Sequence, residues 1–415
     1  MTAPLTPSPA EPAAALAHPR RATAFILLIV FIDMAGLGLI LPVVPRLIEE
    51  VGHLGLHNAA QIGGWLFAVY SLAQFLFAPL MGALSDRFGR RPILLLAIGG
   101  LVLDYILYAL APSLGWLFAG RIIAGLCGAS HVIANAYLAD FTPPERRARA
   151  FGLLGAALGL GFVLGPAIGG LLGQFGPRVP FWVAAGFAAA NFTYGLLALP
   201  ETLPPERRRK LVWREANPLG MFAVFARHKG VLGLMSIYAL YFFGSAVYPA
   251  IWSFWGIAKF NWSEATIGLS LAAFGLVWAL FQGGLTGPVV KRLGERGAAL
   301  VGLGVAMVAA AGYGFATGLA MVVALLMFHG LEGFAQPALT AMMSRAVPEA
   351  EQGALQGGLG AVSNLMMLAG ALFFTQVFGW FLSPAAPVQS ADAAYFVAAV
   401  VLALPFGLFA LRRRG

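Results

Sequence analysis

A chain of 415 residues in which 60% of the residues are hydrophobic and only 10% are charged has too little polar surface to be a water-soluble protein. Its mean hydropathy of +0.83 indicates a protein that crosses a membrane many times. The single cysteine, Cys127, excludes an internal disulfide. The net charge of +9 does not indicate nucleic-acid binding, because the basic residues are confined to particular loops.

The distribution of these basic residues predicts the orientation of the chain. Most of the 26 lysines and arginines lie in the two tails, in the central polar stretch and in every second loop. The alternate loops hold Arg46, Arg178 and Lys259. Because positively charged loops remain on the cytoplasmic side, both termini are predicted to be cytoplasmic.

Apolar runs long enough to cross a bilayer follow one another along the chain and are numbered spans 1 to 12. Residues 1–21 are rich in Ala and Pro and are predicted to form a disordered tail, without a cleavable signal peptide. Spans 1 to 6 are predicted at 22–45, 60–85, 92–111, 114–139, 150–173 and 180–199. Spans 7 to 12 are predicted at 230–257, 264–290, 298–317, 319–344, 353–380 and 392–411.

These spans predict an all-α membrane protein with two six-helix halves. The first bundle covers 22–200, the cytoplasmic linker 201–229, the second bundle 230–411 and a cytoplasmic tail 412–415. The end of the linker, MFAVFARHKG, is predicted to be a short interfacial helix. The halves repeat one another: RFGRR at Arg87 aligns with RLGER at Arg292, and the same offset aligns ERRARAFG with AEQGALQG. Duplication of this kind indicates pseudo-symmetric halves.

Charged residues inside spans are costly and by default mark a functional site or a buried pair. Asp33 lies midway along span 1, where we interpret it as functional rather than as a packing residue. Asp104 in span 3 is interpreted either as a proton carrier or as a fixed partner of Arg121 in span 4. Arg121 cannot release a proton and is therefore interpreted as a partner group.

In span 10, Glu332 and His329 are separated by three positions and so share a helix face. If both face a cavity they can titrate together; the alternative is a hydrogen-bonded histidine beside an acid that lines the pore. Sparse polar and aromatic side chains in an otherwise apolar pathway favour a bulky amphipathic ligand over a sugar. The predicted cavity residues are Tyr70, Gln74, Tyr105, Asn135, Tyr248, Trp252, Trp278, Gln282, Gln336 and Asn364.

The loop GALSDRFGRRP, between spans 2 and 3, resembles the corresponding loop of the major facilitator superfamily. The resemblance implies a conformational latch, in which the acid pairs with the opposite half in one state only. The latch residues it implies are Gly82, Asp86, Arg87, Gly89, Arg90 and Arg91.

The span 5 run GLGFVLGPAIGG predicts close helix packing through its spaced glycines. It also resembles the motif of the antiporter branches, in which a bend is thought to favour export. The residues of this motif are Gly161, Gly165, Pro166, Gly169 and Gly170.

Several further runs resemble the twelve-helix drug/proton antiporters, and WSEATIGLSLAAFG, QPALTAMMSR and QGALQG are more similar still to tetracycline efflux pumps. By this resemblance Asp33, Gln74, Asp104 and Arg121 match functional positions of those pumps. Two positions depart from the pattern: Ala306 replaces the acid expected in span 9, and Trp278 replaces the histidine expected in span 8. Glu332 and His329 are predicted to take over the coupling role.

The resemblance implies a proton-coupled antiporter of the bacterial inner membrane that exports a small amphipathic drug by alternating access. The alternatives are an uncoupled facilitator or importer and, more remotely, a membrane-embedded enzyme. An enzyme is not favoured, because the histidines are scattered and no phosphate-binding glycine loop is present. The predicted partners are a small-molecule substrate, protons and the lipid bilayer, with no nucleic acid, cofactor or metal, and the chain is predicted to be monomeric.

Overall fold

The computed structural model describes residues 19–128, 130–208 and 229–412. These residues form helices and short turns, and no strand occurs among them. The first six spans are Pro19–Ile40, Leu56–Phe88, Arg90–Leu110, Leu114–Cys127 with Ser130–Phe141, Pro144–Gly173 and Val179–Ala198. In the second half, span 7 is Lys229–Ser245 with Val247–Phe260. Span 8 begins with Glu264–Leu280 and Phe281–Leu285 and runs into Thr286–Phe315, which the kink at Gly294 divides between spans 8 and 9. Spans 10, 11 and 12 are Leu319–His329 with Gly330–Phe334 and Ala335–Ser344, Gln352–Leu382 and Ala393–Leu411.

The predicted all-α fold with two six-helix halves is confirmed, although several edges differ. By length and composition, 10 helical stretches of the described chain qualify as membrane spans. The number is below twelve because span 4 is described in two pieces, and because spans 8 and 9 count as one stretch although a kink at Gly294 divides them. At this position φ is 69°, a left-handed conformation that glycine adopts without strain.

Span 1 ends at Ile40 rather than near residue 45. A turn follows it, and a separate helix, Val44–Gly52, begins with Pro45 in its first turn, where proline is well tolerated. The predicted tails and the predicted interfacial helix at 221–230 fall almost entirely outside the described residues. The bounds of the linker and of the two bundles therefore stay predictions.

The spaced glycines of span 5 form its packing face against span 1. A Cβ atom on Gly161, Gly165 or Gly169 would overlap a backbone carbonyl oxygen of span 1. Because no side chain separates them, the two helices approach to backbone contact along this face.

The two halves meet where span 2 packs on span 11 and span 5 packs on span 8. These contacts close the end of the molecule that carries helix Val44–Gly52. There Arg46 Nε pairs with Glu264 Oε1 at 2.9 Å, and the Ser253 hydroxyl donates to the Leu41 carbonyl at 3.0 Å. Gly268 of span 8 also touches the backbone of span 5.

At the opposite end, which carries the loop between spans 2 and 3, the halves are separated. A Cβ atom added to any of six glycines on spans 5 and 8 would meet nothing within 4 Å; these are Gly152, Gly155, Gly159, Gly283, Gly284 and Gly287. Among the described residues, the ion pairs at this end are Asp86–Arg90, Arg90–Asp140 and Glu295–Arg345, and each lies within one half. The molecule is therefore open at this end and closed at the other.

Three spans of the second half have irregular backbones at a common level. Span 7 is interrupted at Ala246, span 8 contains the π-helical segment Phe281–Leu285, and span 10 contains the 3₁₀ segment Gly330–Phe334. The last two segments contact one another. Each contains two glycines, which are poor helix formers. Irregular turns inside helices often accompany functional sites.

Candidate functional site

A cavity of about 900 Å³ lies between the two halves. Spans 1 to 5 line it on one side, and spans 7, 8, 10 and 11 line it on the other. Most of the lining is aliphatic or aromatic, which suits a bulky amphipathic ligand. The lining also includes two basic side chains, Arg121 from the first half and His329 from the second.

Half of the predicted cavity residues contribute to this lining. They are Tyr70, Tyr248, Trp252, Trp278 and Gln282. The side chains of Trp278 and Gln282 bond to one another, with Nε1 of the indole donating to Oε1 of the amide at 3.2 Å. Sequence reasoning missed Tyr108, which also lines the cavity; it lies four residues after Asp104 and therefore on the same helix face.

The other five predicted cavity residues lie outside the lining. Gln74 bonds instead to the Gly128 carbonyl at 3.0 Å and to the Tyr70 hydroxyl at 3.2 Å. Tyr105 is buried against span 1, and Gln336 bonds to Tyr238. Asn364 is exposed and Asn135 is half-buried on span 4. The spans are apolar on most sides, so the sequence did not determine which side of each helix faces the cavity.

Asp104 and Arg121 form a buried ion pair on the first half's side of the cavity. Arg121 Nη2 donates to Asp104 Oδ2 at 2.6 Å, and the two residues are 7% and 1% exposed, respectively. The guanidinium lies over the ring of Tyr108, with its Cζ 4.6 Å from the ring centroid, a cation–π arrangement. In this structure Asp104 is therefore paired with Arg121, as in the second of the two interpretations given above.

Asp33 lies close to this pair but has different partners. It is 5% exposed and bonds to the Ser130 side chain of span 4. Its Oδ2 atom has no hydrogen-bond partner among the described residues. A buried unpaired carboxyl oxygen is costly, so Asp33 retains the capacity to bind a proton or a ligand.

His329 and Glu332 form a second buried cluster, in the second half. His329 Nε2 and Glu332 Oε2 are 2.6 Å apart, and the residues are 3% and 2% exposed, respectively. The Ser245 hydroxyl donates to Glu332 Oε1 at 2.7 Å, and the Tyr313 hydroxyl lies 3.3 Å from His329 Nδ1. Only His329 of the pair contributes to the cavity lining, so Glu332 lies behind it. The predicted helix-face pair is in contact, but its two members do not both face the cavity.

The two departures from the tetracycline-pump pattern have clear structural settings. Ala306 is fully buried, and its carbonyl accepts a hydrogen bond from the Tyr248 hydroxyl at 2.6 Å. Trp278 fills part of the cavity wall. Neither position can supply a titratable group, so in the second half the buried acid adjacent to the cavity wall is Glu332.

The loop between spans 2 and 3 makes its ion pairs within its own half. Arg90 pairs with Asp86 at 2.6 Å and with Asp140 at 3.1 Å. Gly89 has φ 108°, which permits the sharp turn into span 3. Both ion pairs join residues of the first half, which agrees with the separation of the halves at this end. The alternative pairing across the halves stays a prediction.

Glu201, a residue of the predicted linker, also contacts this loop. Its carboxylate accepts from the backbone N–H groups of Arg90 at 2.9 Å and Arg91 at 3.3 Å, so it caps the start of span 3. Arg91 Nη2 donates to the Leu196 carbonyl at 2.6 Å. The end of span 6 is therefore joined to the predicted latch. The Glu-Thr pair directly after an apolar span was the available signal.

The helical halves, the cavity between them and the buried charges beside it define a membrane transporter of the major facilitator type. Residues 26–371 match the model of the Major Facilitator Superfamily, and the chain belongs to that family. It is a multi-pass membrane transporter rather than an enzyme.

Within the family, the chain is similar to proteins of drug resistance. It is 40% identical to the class C tetracycline resistance protein of Escherichia coli, over 84% of this chain and 87% of that protein. It is also 40% identical to the class G tetracycline resistance protein of Vibrio anguillarum, over 86% and 91% of the two chains. The predicted relationship to tetracycline pumps is confirmed at this level.

Solved structures support the same fold. The human organic anion transporter MFSD10 (TETRAN) is 25% identical, with a TM-score of 0.68 over 95% of this chain and 100% of that chain. A bacterial homologue of the human lysosomal transporter Spinster, solved in an inward-facing and unoccupied conformation, is 17% identical, with a TM-score of 0.77 over 95% and 97% of the two chains.

Proposed function

We propose that this protein is an inner-membrane antiporter that exports a small amphipathic drug, tetracycline or a related compound, in exchange for protons. The observation that carries the proposal is the cavity: it lies between two halves, is open at one end only, and has buried carboxyl groups directly behind its wall. The tetracycline resistance relatives support drug export. The basic-residue distribution supports cytoplasmic termini, which makes the open end the cytoplasmic one.

In the proposed cycle, the two bundles move as bodies about the cavity, with 22–200 as one body and 230–411 as the other. Substrate enters from the cytoplasmic end in the state described above. Opening of the other end requires the Arg46–Glu264 contact to break and the Asp86 loop to pair with the second half. Asp33 and Asp104 bind protons and substrate in alternation, and Arg121 holds Asp104 in place. His329 and Glu332 are the coupling groups of the second half.

The direct test measures proton movement in proteoliposomes that contain the purified protein and a trapped pH indicator. A gradient of tetracycline is expected to drive protons in the opposite direction. Asp33→Asn and Asp104→Asn are expected to reduce this flux by about 100-fold, as removal of a proton-transfer group does, while Glu349→Gln, which removes an exposed acid, leaves it intact. A panel of cationic and neutral amphiphiles extends the test to other substrates.

The contrary outcome is substrate movement that is equally fast with and without a proton gradient. It would favour the uncoupled facilitator, which is the alternative that the absence of an acid at Ala306 and of a histidine at Trp278 supports. Failure of every compound in the panel to move would contradict drug export itself.

Glu332→Gln tests the second-half group separately. The substitution keeps the size of the side chain but replaces the carboxylate that His329 and Ser245 contact. Because Glu332 is proposed as a coupling group, we expect transport to fall about 100-fold and to change its dependence on pH. Transport rates measured from pH 5.5 to 8 that match the wild type throughout would remove Glu332 from the coupling mechanism.

A further inference from the structure

Four buried polar atoms in one region of the first half have no hydrogen-bond partner among the described residues. They are Asp33 Oδ2, Asp104 Oδ1, the Tyr105 hydroxyl and Arg121 Nε. Buried polar groups in proteins are nearly always paired, either with other protein atoms or with ordered water. Four unpaired atoms in a single cluster therefore indicate that water inside the protein supplies the missing hydrogen bonds.

The Tyr105 hydroxyl is the group of this cluster that reaches from span 3 to span 1. Tyr105 follows Asp104 in span 3, is 2% exposed and does not line the cavity. Its hydroxyl lies against Gly36 of span 1, one helical turn after Asp33, and a Cβ atom at Gly36 would overlap it. Tyr105 interacts electrostatically with both Asp104 and Asp33. A phenol with this placement bridges span 3 and span 1 at the level of their carboxyl groups.

The other groups that face the acids have partners of their own or cannot release a proton. Arg121 is permanently charged and passes no proton. The Tyr70 hydroxyl accepts from Gln74, and the ring of Tyr108 lies under the Arg121 guanidinium. Ser130 of span 4 is bonded to Asp33. Of the three tyrosines around the ion pair, Tyr105 is the one whose hydroxyl is unpartnered among the described residues.

The cluster is also close to the cavity, from which protons would come. Met34, adjacent to Asp33 in sequence, lines the cavity, as do Tyr108 and Arg121. The two carboxyl groups therefore lie directly behind the cavity wall. Tyr70 and Tyr105 each interact electrostatically with both acids, so the two carboxyl groups share one environment.

We propose that the Tyr105 hydroxyl, together with bridging water, relays protons between Asp104 and Asp33. This inference rests on the proposed proton-coupled function. A proton on Asp104 passes to a water molecule, and a proton from that water passes to the phenol oxygen as the phenol's own proton moves on towards Asp33. At the end Tyr105 is again neutral, Asp33 is protonated, and Asp104 is a carboxylate paired with Arg121. The reverse sequence returns the proton.

Loss of the relay is expected to affect proton-driven transport but not substrate exchange, whereas loss of a purely structural role would affect both alike. Exchange of external for internal substrate needs no net proton movement, whereas proton-driven transport requires the relay to operate in every cycle. Tyr105→Phe removes the hydroxyl and keeps the ring against Gly36. We expect proton-driven tetracycline transport in proteoliposomes to fall by about 100-fold, with substrate exchange within about twofold of the wild type.

Tyr395→Phe is the matched control. Tyr395 is also fully buried with an unpartnered hydroxyl, but it lies in span 12 of the second half. We expect this variant to retain both activities. Proton-driven transport by Tyr105→Phe at the wild-type rate would overturn the relay, and so would an equal loss of transport in Tyr105→Phe and Tyr395→Phe.

Gly36→Ala provides a second variant, since it displaces the hydroxyl without removing it, and the same separation of activities is expected. Wild-type protein that moves tetracycline without protons would overturn the proposed function and the relay with it. Normal coupling in the wild type and in both Tyr105→Phe and Gly36→Ala would overturn the relay alone.

Discussion

Arg121→Ala is expected to destabilise the protein by about 3–5 kcal/mol, because it removes one partner of a buried ion pair and leaves the other without compensation. Asp104 is 1% exposed and its contact with Arg121 is 2.6 Å long. Removal of Arg121 also removes the cation that packs over Tyr108. The expected result is a large fall in the thermal unfolding temperature in detergent, together with loss of proton-coupled transport.

The double variant Arg121→Ala/Asp104→Asn distinguishes the cost of the unpaired carboxylate from the cost of the lost packing. Because it no longer contains an unpaired buried carboxylate, it is expected to recover a large part of the lost stability but none of the coupling. Arg345→Ala is the matched control: Arg345 pairs with Glu295, but its side chain is 69% exposed, so the loss is expected to be about 0–1 kcal/mol. Equal destabilisation by Arg121→Ala and Arg345→Ala would refute the argument from burial.

Gly268→Ala is expected to prevent the closed end of the molecule from sealing. The added methyl group would overlap the Pro166 carbonyl and approach Gly170, both of which are backbone that no rotamer change can move. Overpacking of this kind costs about 1–3 kcal/mol. Since the overlap exists only where the halves meet, it penalises one conformation rather than folding. The ratio of this conformation to the alternative one should therefore fall by about 5–150-fold.

The conformational shift can be measured as a distance between spin labels on the two halves. Labels at Arg149→Cys and Lys291→Cys, in a Cys127→Ser background, span the open end from span 5 to span 8. We expect shorter distances in Gly268→Ala, because the proposed alternating cycle closes this end when the other opens. Gly186→Ala, at an exposed position on span 6 with nothing within 4 Å of the added methyl, should leave the distances unchanged. An unaltered distribution in Gly268→Ala would contradict the expected coupling between the two ends.

The charged residues of the candidate site could be predicted from the sequence, but the contacts between them could not. Asp33, Asp104 and Arg121 could be selected from the sequence because charge inside an apolar run is rare and costly. Their pairing could not be selected, since nothing along spans 3 and 4 specifies that Arg121 meets Asp104 rather than Asp33. Tyr105 and Tyr108 illustrate the same limit: they are three residues apart in one span, yet one is buried against span 1 and the other lines the cavity.

By itself, the sequence determined the membrane class, the order of the spans and the duplication of the halves. Hydropathy is sufficient for this, because a chain in lipid must satisfy its backbone groups within helices. It also determined the family, through the loop after span 2 and the glycines of span 5. Only the tertiary structure decided which end of the molecule is open, that Glu201 caps span 3, and which tyrosines face the cavity. Those features depend on the rotation and tilt of helices that are apolar on nearly every side, and contacts between distant residues set that rotation.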